Sequence, residues 1–473
     1  LFLLIFFIDA VSMTRPSLPP TAIFKAYDIR GIVGDTLTAA GVEQIGRAIG
    51  SEARARGRDS VAIGRDGRDS GPELAAALAR GLQAAGVNVI DVGMVATPML
   101  YFAAHELGTL SGVMVTGSHN PPQYNGLKMM LAGDTLSGDD IQALRARIVS
   151  GDLAAGSGTY RSHDIRAAYL ERILGHIRLA RPMRIAVDCG NGVAGATAPE
   201  LYRRLGCDVQ ELFCEVDGTF PNHHPDPSQP HNLEDLVAAL KKGDAELGLA
   251  FDGDGDRLGV VTKSGKIIYP DRQLMLFAAD VLSRVPGGEV IFDVKCTRHL
   301  FSWIRKHGGQ PILWKTGHSF IKKKLKETGA PLAGEMSGHV FFKERWYGFD
   351  DGMYAGARLL EILSRSADPS AVLEALPDAV STPELQWPLA EGENYALMQT
   401  LQNTAKFPAA KDIITIDGLR VEYPDGFGLA RPSNTTPIIV LRFEADNAEA
   451  LQRIQSEFRQ ALLAVKPGAM LPF

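Results

Sequence analysis

The sequence predicts an α/β protein built as three similar α/β domains in series, followed by a smaller α+β domain. Two observations predict it. Three segments repeat one plan at domain-length intervals, and the pattern of the chain changes beyond about residue 380. Each repeat opens with a short β-branched run ending near an aspartate. It then passes through a loop into a stretch with apolar residues on one face, stops at glycine, and returns as a second apolar run. This is strand–helix–strand patterning, from which a parallel sheet follows. One large doubly wound domain is the alternative.

The first repeat, SVAIGRDGRDSGPELAAALARGLQAAGVNVIDVG from Ser60, places Asp66 at its strand end and Gly86 at its helix stop. The second, MRIAVDCGNGVAGATAPELYRRLGCDVQELF from Met183, uses Asp188 and Gly206. The third, EVIFDVKCTRHLFSWIRKHGGQPILWKTG from Glu289, uses Asp293 and Gly308. Glycine just past a helix takes the left-handed backbone that ends it. The spacing of the aspartates is too long for a solenoid. The final stretch, ITIDGLRVEYPDGFGLARPSNTTPIIVLRFEA, reads as strands joined by turns, with a helix from about Asn447. The domains are expected at 14–163, 164–266, 267–378 and 379–473. Residues 1–13 read as an extension, expected to be disordered, with Met13 as the natural start. The apolar run over 1–8 is too short to span a bilayer and lacks the basic flank of a signal peptide.

The composition of the 473 residues, 45% hydrophobic and 22% charged, is that of an ordinary soluble globular protein. A net charge of −6, from 49 basic and 55 acidic residues, argues against a general nucleic-acid binder or a polybasic membrane surface. Neither nucleic acid nor membrane is expected as a partner. The four cysteines show no C-x-x-C spacing, against a zinc ribbon or disulfide framework, and a cytoplasmic location is expected.

Four loops carry complementary chemistry. VMVTGSHNPP, residues 113–122, delivers Ser118 from an apolar run onto a turn bracketed by Gly117 and two prolines. A rigid corner can hold a nucleophile; a solvated turn residue or helix cap is the plain alternative. Lys128 can return to the same place. His119 need not pair with its neighbour Ser118, because a catalytic constellation is set by geometry rather than order. The chain lacks G-x-S-x-G, which argues against an α/β-hydrolase. In AFDGDGDRLGVV, Asp252, Asp254 and Asp256 alternate with glycine, so three carboxylates can face one centre, and a hard cation is their natural partner. An EF-hand fails, with Arg257 where its glycine belongs and Lys263 where its glutamate belongs. Mg2+ completed by a phosphate oxygen fits better than calcium, and Arg257 can hold a neighbouring phosphate. A solvated acidic turn is the alternative. GEMSGHVFF offers Glu335, Ser337 and His339 at alternate positions. A carboxylate beside a hydroxyl suits the vicinal hydroxyls of a sugar, and His339 can move a proton; a polar turn entering a strand is the alternative. ARPSNTTP sets Arg431, Ser433, Asn434, Thr435 and Thr436 between prolines, either a phosphate clamp or a Pro-bracketed turn. Together the loops supply a nucleophile, a metal, a sugar reader and a phosphate site, one in each expected domain.

TGSHNPPQYNGLK, DGDGDR, GEMSGH and RPSNTTP together resemble the signature loops of the α-D-phosphohexomutase superfamily. The chain is most similar to its bacterial bifunctional phosphomannomutase/phosphoglucomutase branch, from about Ile23, through FKAYDIRG, to near the C-terminus. The resemblance implies four domains around a central cleft, the first three of mixed α/β topology. It implies reversible interconversion of hexose 1-phosphate and hexose 6-phosphate, of mannose and glucose, through a phosphoserine. Glucose 1,6-bisphosphate or mannose 1,6-bisphosphate would be intermediate and activator. Ser118 would be the phosphoserine, and Asp252, Asp254 and Asp256 would bind Mg2+ with its oxygen. Arg257 would stabilise the transferring group, and Lys128 and His339 would be candidates for acid–base work. Glu335 and Ser337 would contact sugar hydroxyls, with Lys295 and His318 on the sugar side. Arg431, Ser433, Asn434 and Thr435 would hold the substrate phosphate, and Tyr27, Arg30 and His119 would line the cleft. The partners implied are small hexose phosphates, and a monomer is expected. The phosphoglucosamine mutase branch is a sister reading, disfavoured because its sugar loop typically has Gln where this chain has Met336. A serine-dependent sugar phosphatase of the two-metal kind needs more His and carboxylate ligands than these loops provide. A non-catalytic sugar-phosphate binder explains the clamp but not a serine beside a metal loop.

Overall fold

Four sheets follow one another along the chain in a computed structural model that describes residues 18–434 and 436–473. The expectations for residues 1–13 and for Thr435 lie outside the described residues.

The first three sheets share a four-strand core. Its opening strand lies in the middle, the second strand pairs parallel on one side, and the third pairs parallel on the other. The fourth returns antiparallel outside the third. In the first domain these strands are Ser60–Arg65, Asn88–Met94, Gly112–Val115 and Tyr124–Leu131. In the second they are Met183–Asp188, Cys207–Leu212, Leu247–Phe251 and Leu258–Thr262. In the third they are Glu289–Asp293, Gln310–Trp314, Leu332–Gly334 and Val340–Phe342. The strand–helix–strand patterning accounts for the parallel pairs, and the hairpin between third and fourth strands makes each sheet mixed. Gly112–Val115, Leu247–Phe251 and Leu332–Gly334 are buried throughout, as central strands covered on both faces must be. Gly86, Gly206 and Gly308 all have positive φ where their helices stop, as the sequence predicts.

The fourth domain is an antiparallel sheet ordered Val380–Ser381, Ile438–Ala445, Gly426–Pro432, Leu419–Tyr423 and Asp412–Ile414. Helix Ala448–Val465 packs on it and starts where Asn447 accepts the Ala450 amide at 2.9 Å. Such a cap stabilises a helix by about 1 kcal/mol.

Packing divides the chain unequally. One apolar cluster runs without a break from Met99 and Phe102, through Leu201 and Phe251, to Phe292, Phe342 and Tyr354, joining the first three domains. The fourth has its own core around Trp387, Leu401, Leu441 and Phe458. Its seam with the third combines a small apolar cluster, Val294 against Phe427 and Leu429, with polar contacts: Arg442 donates to the Lys295 carbonyl at 2.7 Å, and Thr297 to Glu444 at 2.7 Å. Arg420 donates to the carbonyls of Val294 and Cys296. Between the third and fourth sheets, helix Pro369–Glu374 is anchored to the second domain, the Ser370 hydroxyl taking the Lys263 amide at 2.9 Å.

Candidate active site

Each loop singled out in the sequence is a hairpin link. Residues 116–123, 252–257 and 335–339 join the third and fourth strands of the first three domains, and 433–437 joins two strands of the fourth. The first three therefore leave the carboxyl ends of central strands, where α/β sheets place their ligand sites.

Two of the three aspartates that mark the repeats anchor these hairpins. Asp66 accepts the Thr116 hydroxyl at 2.7 Å and the Gly117 amide at 3.1 Å. Asp293 accepts the Met336 amide at 3.3 Å. Asp188 instead accepts the Gly190 amide and His223 Nε2, at 2.9 and 3.0 Å. The serine loop has a second anchor that the sequence reading missed. Fully buried Arg68 spends all five of its N–H donors. Nε goes to Asp66, Nη1 to the carbonyls of Pro121 and Tyr124, and Nη2 to those of Ser118 and Asn120. The repeated dyad in GRDGRD was its only signal. So held, Ser118 keeps a left-handed φ of 48°, a conformation that costs a non-glycine residue about 1–2 kcal/mol.

Ser118 donates its hydroxyl to Asp252 Oδ2 at 3.2 Å, and His119 Nδ1 lies 3.4 Å from Ser118 Oγ. The approach of the two loops requires Gly253, since a Cβ there would come within 2.4 Å of the Ser118 carbonyl oxygen. Asp252, Asp254 and Asp256 are wholly buried, and each brings a carboxylate oxygen within 4.8 Å of the others'. Thr97 donates to Asp254 Oδ2 at 2.5 Å. Lys128, opposite Met114 in the returning strand, donates to Asp254 and Asp256 at 2.8 and 2.5 Å. Oδ1 of Asp254 is buried without a hydrogen-bond donor, and Oδ1 of Asp256 faces His339 Nε2 at 3.3 Å. Burial, together with Asp256 and Asp254, pushes the Asp252 carboxyl well above the ordinary range. Three buried carboxylates converging on one centre, with an Asp254 oxygen left without a donor, fit a hard divalent cation.

His339 sits between two carboxylates, with Nδ1 3.0 Å from Glu335 and Nε2 3.3 Å from Asp256. Burial opposes its charge, but Asp256 and Glu335 outweigh burial and raise its pKa to about 9. Lys128 is likewise kept charged against burial by Asp254 and Asp256. His339 and Lys128 are thus both proton donors in this state. Ser337 Oγ lies 2.9 Å from His339 Nδ1. Burial, with Lys322 nearby, holds His318 neutral, well below the ordinary histidine value. Arg257 lies 3.7 Å from Asp252.

The remaining candidates lie at the fourth-domain side. Arg431 and Ser433 are buried, and the Ser433 carbonyl accepts Asn394 Nδ2 at 3.1 Å. Asn434 donates to the Tyr27 hydroxyl, which donates to the Thr316 carbonyl at 3.0 Å. Lys295 is paired with Glu384 at 2.6 Å. Arg30 pairs with Asp28 and donates to the Gly117 carbonyl at 2.7 Å. The contacts close a ring: first domain to second through Ser118 and Asp252, second to third through Asp256 and His339. The third meets the fourth through Thr316 and Asp417, at 2.9 Å, and the fourth returns to the first through Asn434 and Tyr27. Asp417 and Thr97 were not foreseen from the sequence. His224, which bonds the His119 carbonyl, was also missed, though HHPDP is a conspicuous string.

Comparison with known proteins gives the same order of parts. Four stretches match phosphoglucomutase/phosphomannomutase: alpha/beta/alpha domain I over 21–154, domain II over 167–265, domain III over 269–380 and the C-terminal domain over 384–461. The chain is 63% identical to a phosphoglucomutase of Neisseria meningitidis, over 95% of this chain and 98% of that protein. It is 60% identical to a phosphomannomutase/phosphoglucomutase of Pseudomonas aeruginosa, over 98% of this chain and all of that one. A crystal structure of a phosphoglucomutase/phosphomannomutase family protein from Burkholderia thailandensis superposes with a TM-score of 0.92 at 63% identity, covering 96% of this chain and 99% of that one.

Proposed function

Because the chain belongs to the phosphoglucomutase/phosphomannomutase family and is a hexose-phosphate mutase, an isomerase, we propose that Ser118 is the residue that gives up and recovers the phosphoryl group. Phosphorylated Ser118 passes its phosphoryl to the free hydroxyl of glucose or mannose 1- or 6-phosphate. A hexose 1,6-bisphosphate results, turns over within the cleft, and returns its other phosphate to Ser118.

The observation that carries this reading is the 3.2 Å contact between Ser118 Oγ and Asp252, in a loop where three buried carboxylates converge and an Asp254 oxygen has no donor. Asp252, Asp254, Asp256 and the Ser118 oxygen would hold Mg2+, which when bound supplies positive charge against the oxygens of the transferring group. Arg257 stands beside the same centre as a fixed cation. In the first transfer the attacking sugar hydroxyl gives up its proton and the departing Ser118 oxygen takes one, which Lys128 or His339 can supply; on return the Ser118 hydroxyl gives its proton back to that group and the leaving sugar oxygen takes one. Glu335 and Ser337, with Lys295 and His318, read the ring, and Arg431, Ser433, Asn434 and Thr435 clamp the phosphate that is not reacting. A reader of O3 and O4 tolerates the flip, which exchanges those two hydroxyls, and glucose and mannose are both accepted if O2 is not read.

The enzyme acts, in this reading, as a monomer on a small hexose phosphate. No helix among the described residues is long and apolar enough to cross a membrane, and we place the enzyme in the cytoplasm. Intact-mass measurement with peptide mapping tests the central step: part of the purified protein should carry one phosphate, on Ser118. Phosphate on another residue, with Ser118 unmodified after incubation with glucose 1,6-bisphosphate, would overturn it.

A further inference from the structure

Two consecutive backbone amides tie the phosphate clamp to the sugar reader. The Thr316 amide donates to Asp417 Oδ2 at 2.9 Å, and the Gly317 amide donates to Glu335 Oε1 at 2.5 Å. Asp417 belongs to the fourth domain, on the turn between strands Asp412–Ile414 and Leu419–Tyr423. Glu335 opens the sugar loop of the third. Thr316 is fixed on two further sides: its hydroxyl donates to Asp293 at 2.9 Å, and its carbonyl accepts the Tyr27 hydroxyl at 3.0 Å. The carboxylate that takes the Thr316 amide also holds Arg431, accepting from Nε at 3.1 Å and from Nη2 at 3.4 Å. The two side chains are only 6% and 11% exposed. A guanidinium held along its Nε–Nη2 edge is fixed in plane and still presents its Nη1 hydrogens to a second oxyanion.

From this juxtaposition we infer that Asp417 is a positioning residue for the mutase reaction. It sets the plane of Arg431, and through the Thr316–Gly317 peptide it fixes the distance from the clamped phosphate to the hydroxyls that Glu335 reads. One clamp must serve a phosphate at either end of the ring, while the reader meets the middle of the ring. The two orientations are both accommodated when the clamp-to-reader spacing is held constant. A carboxylate that merely competed with substrate for Arg431 would have the opposite effect on binding. The inference rests on Arg431 being the phosphate clamp.

The test is steady-state kinetics with glucose 1-phosphate, in magnesium and glucose 1,6-bisphosphate, on Asp417→Asn, Asp417→Glu, Arg431→Ala and the double variant Asp417→Asn/Arg431→Ala, with thermal melting of each. Arg431→Ala is expected to raise KM by about tenfold or more, the scale of a lost charge-assisted contact. Asp417→Asn is expected to raise KM by about tenfold, with kcat changed less than KM, because the lost effect is carried by that contact. Asp417→Glu, which keeps the charge but displaces the guanidinium, should lie between wild type and Asp417→Asn. The double variant should be no worse than Arg431→Ala, since Asp417 acts through the arginine. A normal or lowered KM in Asp417→Asn, with Arg431→Ala impaired, overturns the inference alone; a lowered value is the mark of a competitor. Multiplying losses in the double variant overturn it as well. A normal KM in Arg431→Ala removes the clamp assignment and the inference together. If Asp417→Asn does not fold, a wild-type KM in Asp417→Glu overturns the inference.

Discussion

The Ser118 hydroxyl donates to Asp252 across 3.2 Å, from the first domain to the second, with Ser118 in a left-handed backbone conformation. A strained serine aimed at a buried carboxylate cluster is arranged for chemistry rather than for packing. Ser118→Ala is therefore expected to lower turnover by on the order of a thousandfold or more, with glucose 1,6-bisphosphate supplied, while the melting temperature stays near wild type. Unimpaired rates in that variant would show that another group carries the phosphoryl.

Metal removal is the second prediction. Asp254 keeps a buried oxygen that meets no donor, while Lys128 takes its other oxygen and one of Asp256. A chelator should abolish activity and magnesium should restore it. Asp254→Asn should raise the magnesium concentration needed for half activity by at least about tenfold, the scale found even for partners outside the ligand shell. Titration of activity against magnesium checks both, and full activity in excess chelator would sink the assignment.

The third concerns Arg68, which touches no substrate in this reading. Its five hydrogen bonds make the serine loop rigid, and Asp66 is buried beside it. Removing one partner of a buried pair leaves an uncompensated charge and costs about 3–5 kcal/mol. Arg68→Ala should therefore destabilise the first domain in urea and abolish turnover. Arg68→Lys should fare little better, because an ammonium has three donors on one atom and cannot span four carbonyls. A wild-type kcat for Arg68→Lys would show that the loop does not depend on this anchor.

The fourth domain should move. The first three domains share one continuous apolar cluster, whereas the fourth has its own core and meets the third through a small apolar patch, Val294 against Phe427 and Leu429, and through polar contacts. Opening this seam exposes far less apolar surface than unfolding a domain does. We expect the fourth domain to close for phosphoryl transfer and to loosen while the bisphosphate reorients. With helix Pro369–Glu374 anchored to the second domain and Val380–Ser381 in the fourth sheet, the hinge falls within residues 375–379. Single-molecule distances between the first and fourth domains should shorten when substrate is added. A disulfide engineered across the cleft mouth should stop turnover and leave Ser118 phosphorylated. Interconversion of glucose 1-phosphate and glucose 6-phosphate at the normal rate in the locked protein would rule out a moving clamp.

Much of this molecule was fixed by local patterns. β-Branched runs, amphipathic stretches and glycine stops set three α/β units, because strand period, helix period and left-handed backbone are properties of a few adjacent residues. The four loops were legible for the same reason: DGDGDR and RPSNTTP concentrate their chemistry within a handful of positions. What the sequence could not display was which distant groups complete them. Arg68 reads as one more basic residue in GRDGRD until four carbonyls of the serine loop surround it. Thr97 opens a helix in the first domain yet bonds Asp254 in the second. Asp417 sits in an ordinary Asp-Gly turn, and only the docking of the fourth domain on the third brings it to Thr316 and gives Arg431 its setting. Hydrogen bonds and ion pairs act over about 3 Å of space and are indifferent to separation along the chain. The sequence therefore determined the parts and their order, and the tertiary structure decided which side chains hold those parts at working distance.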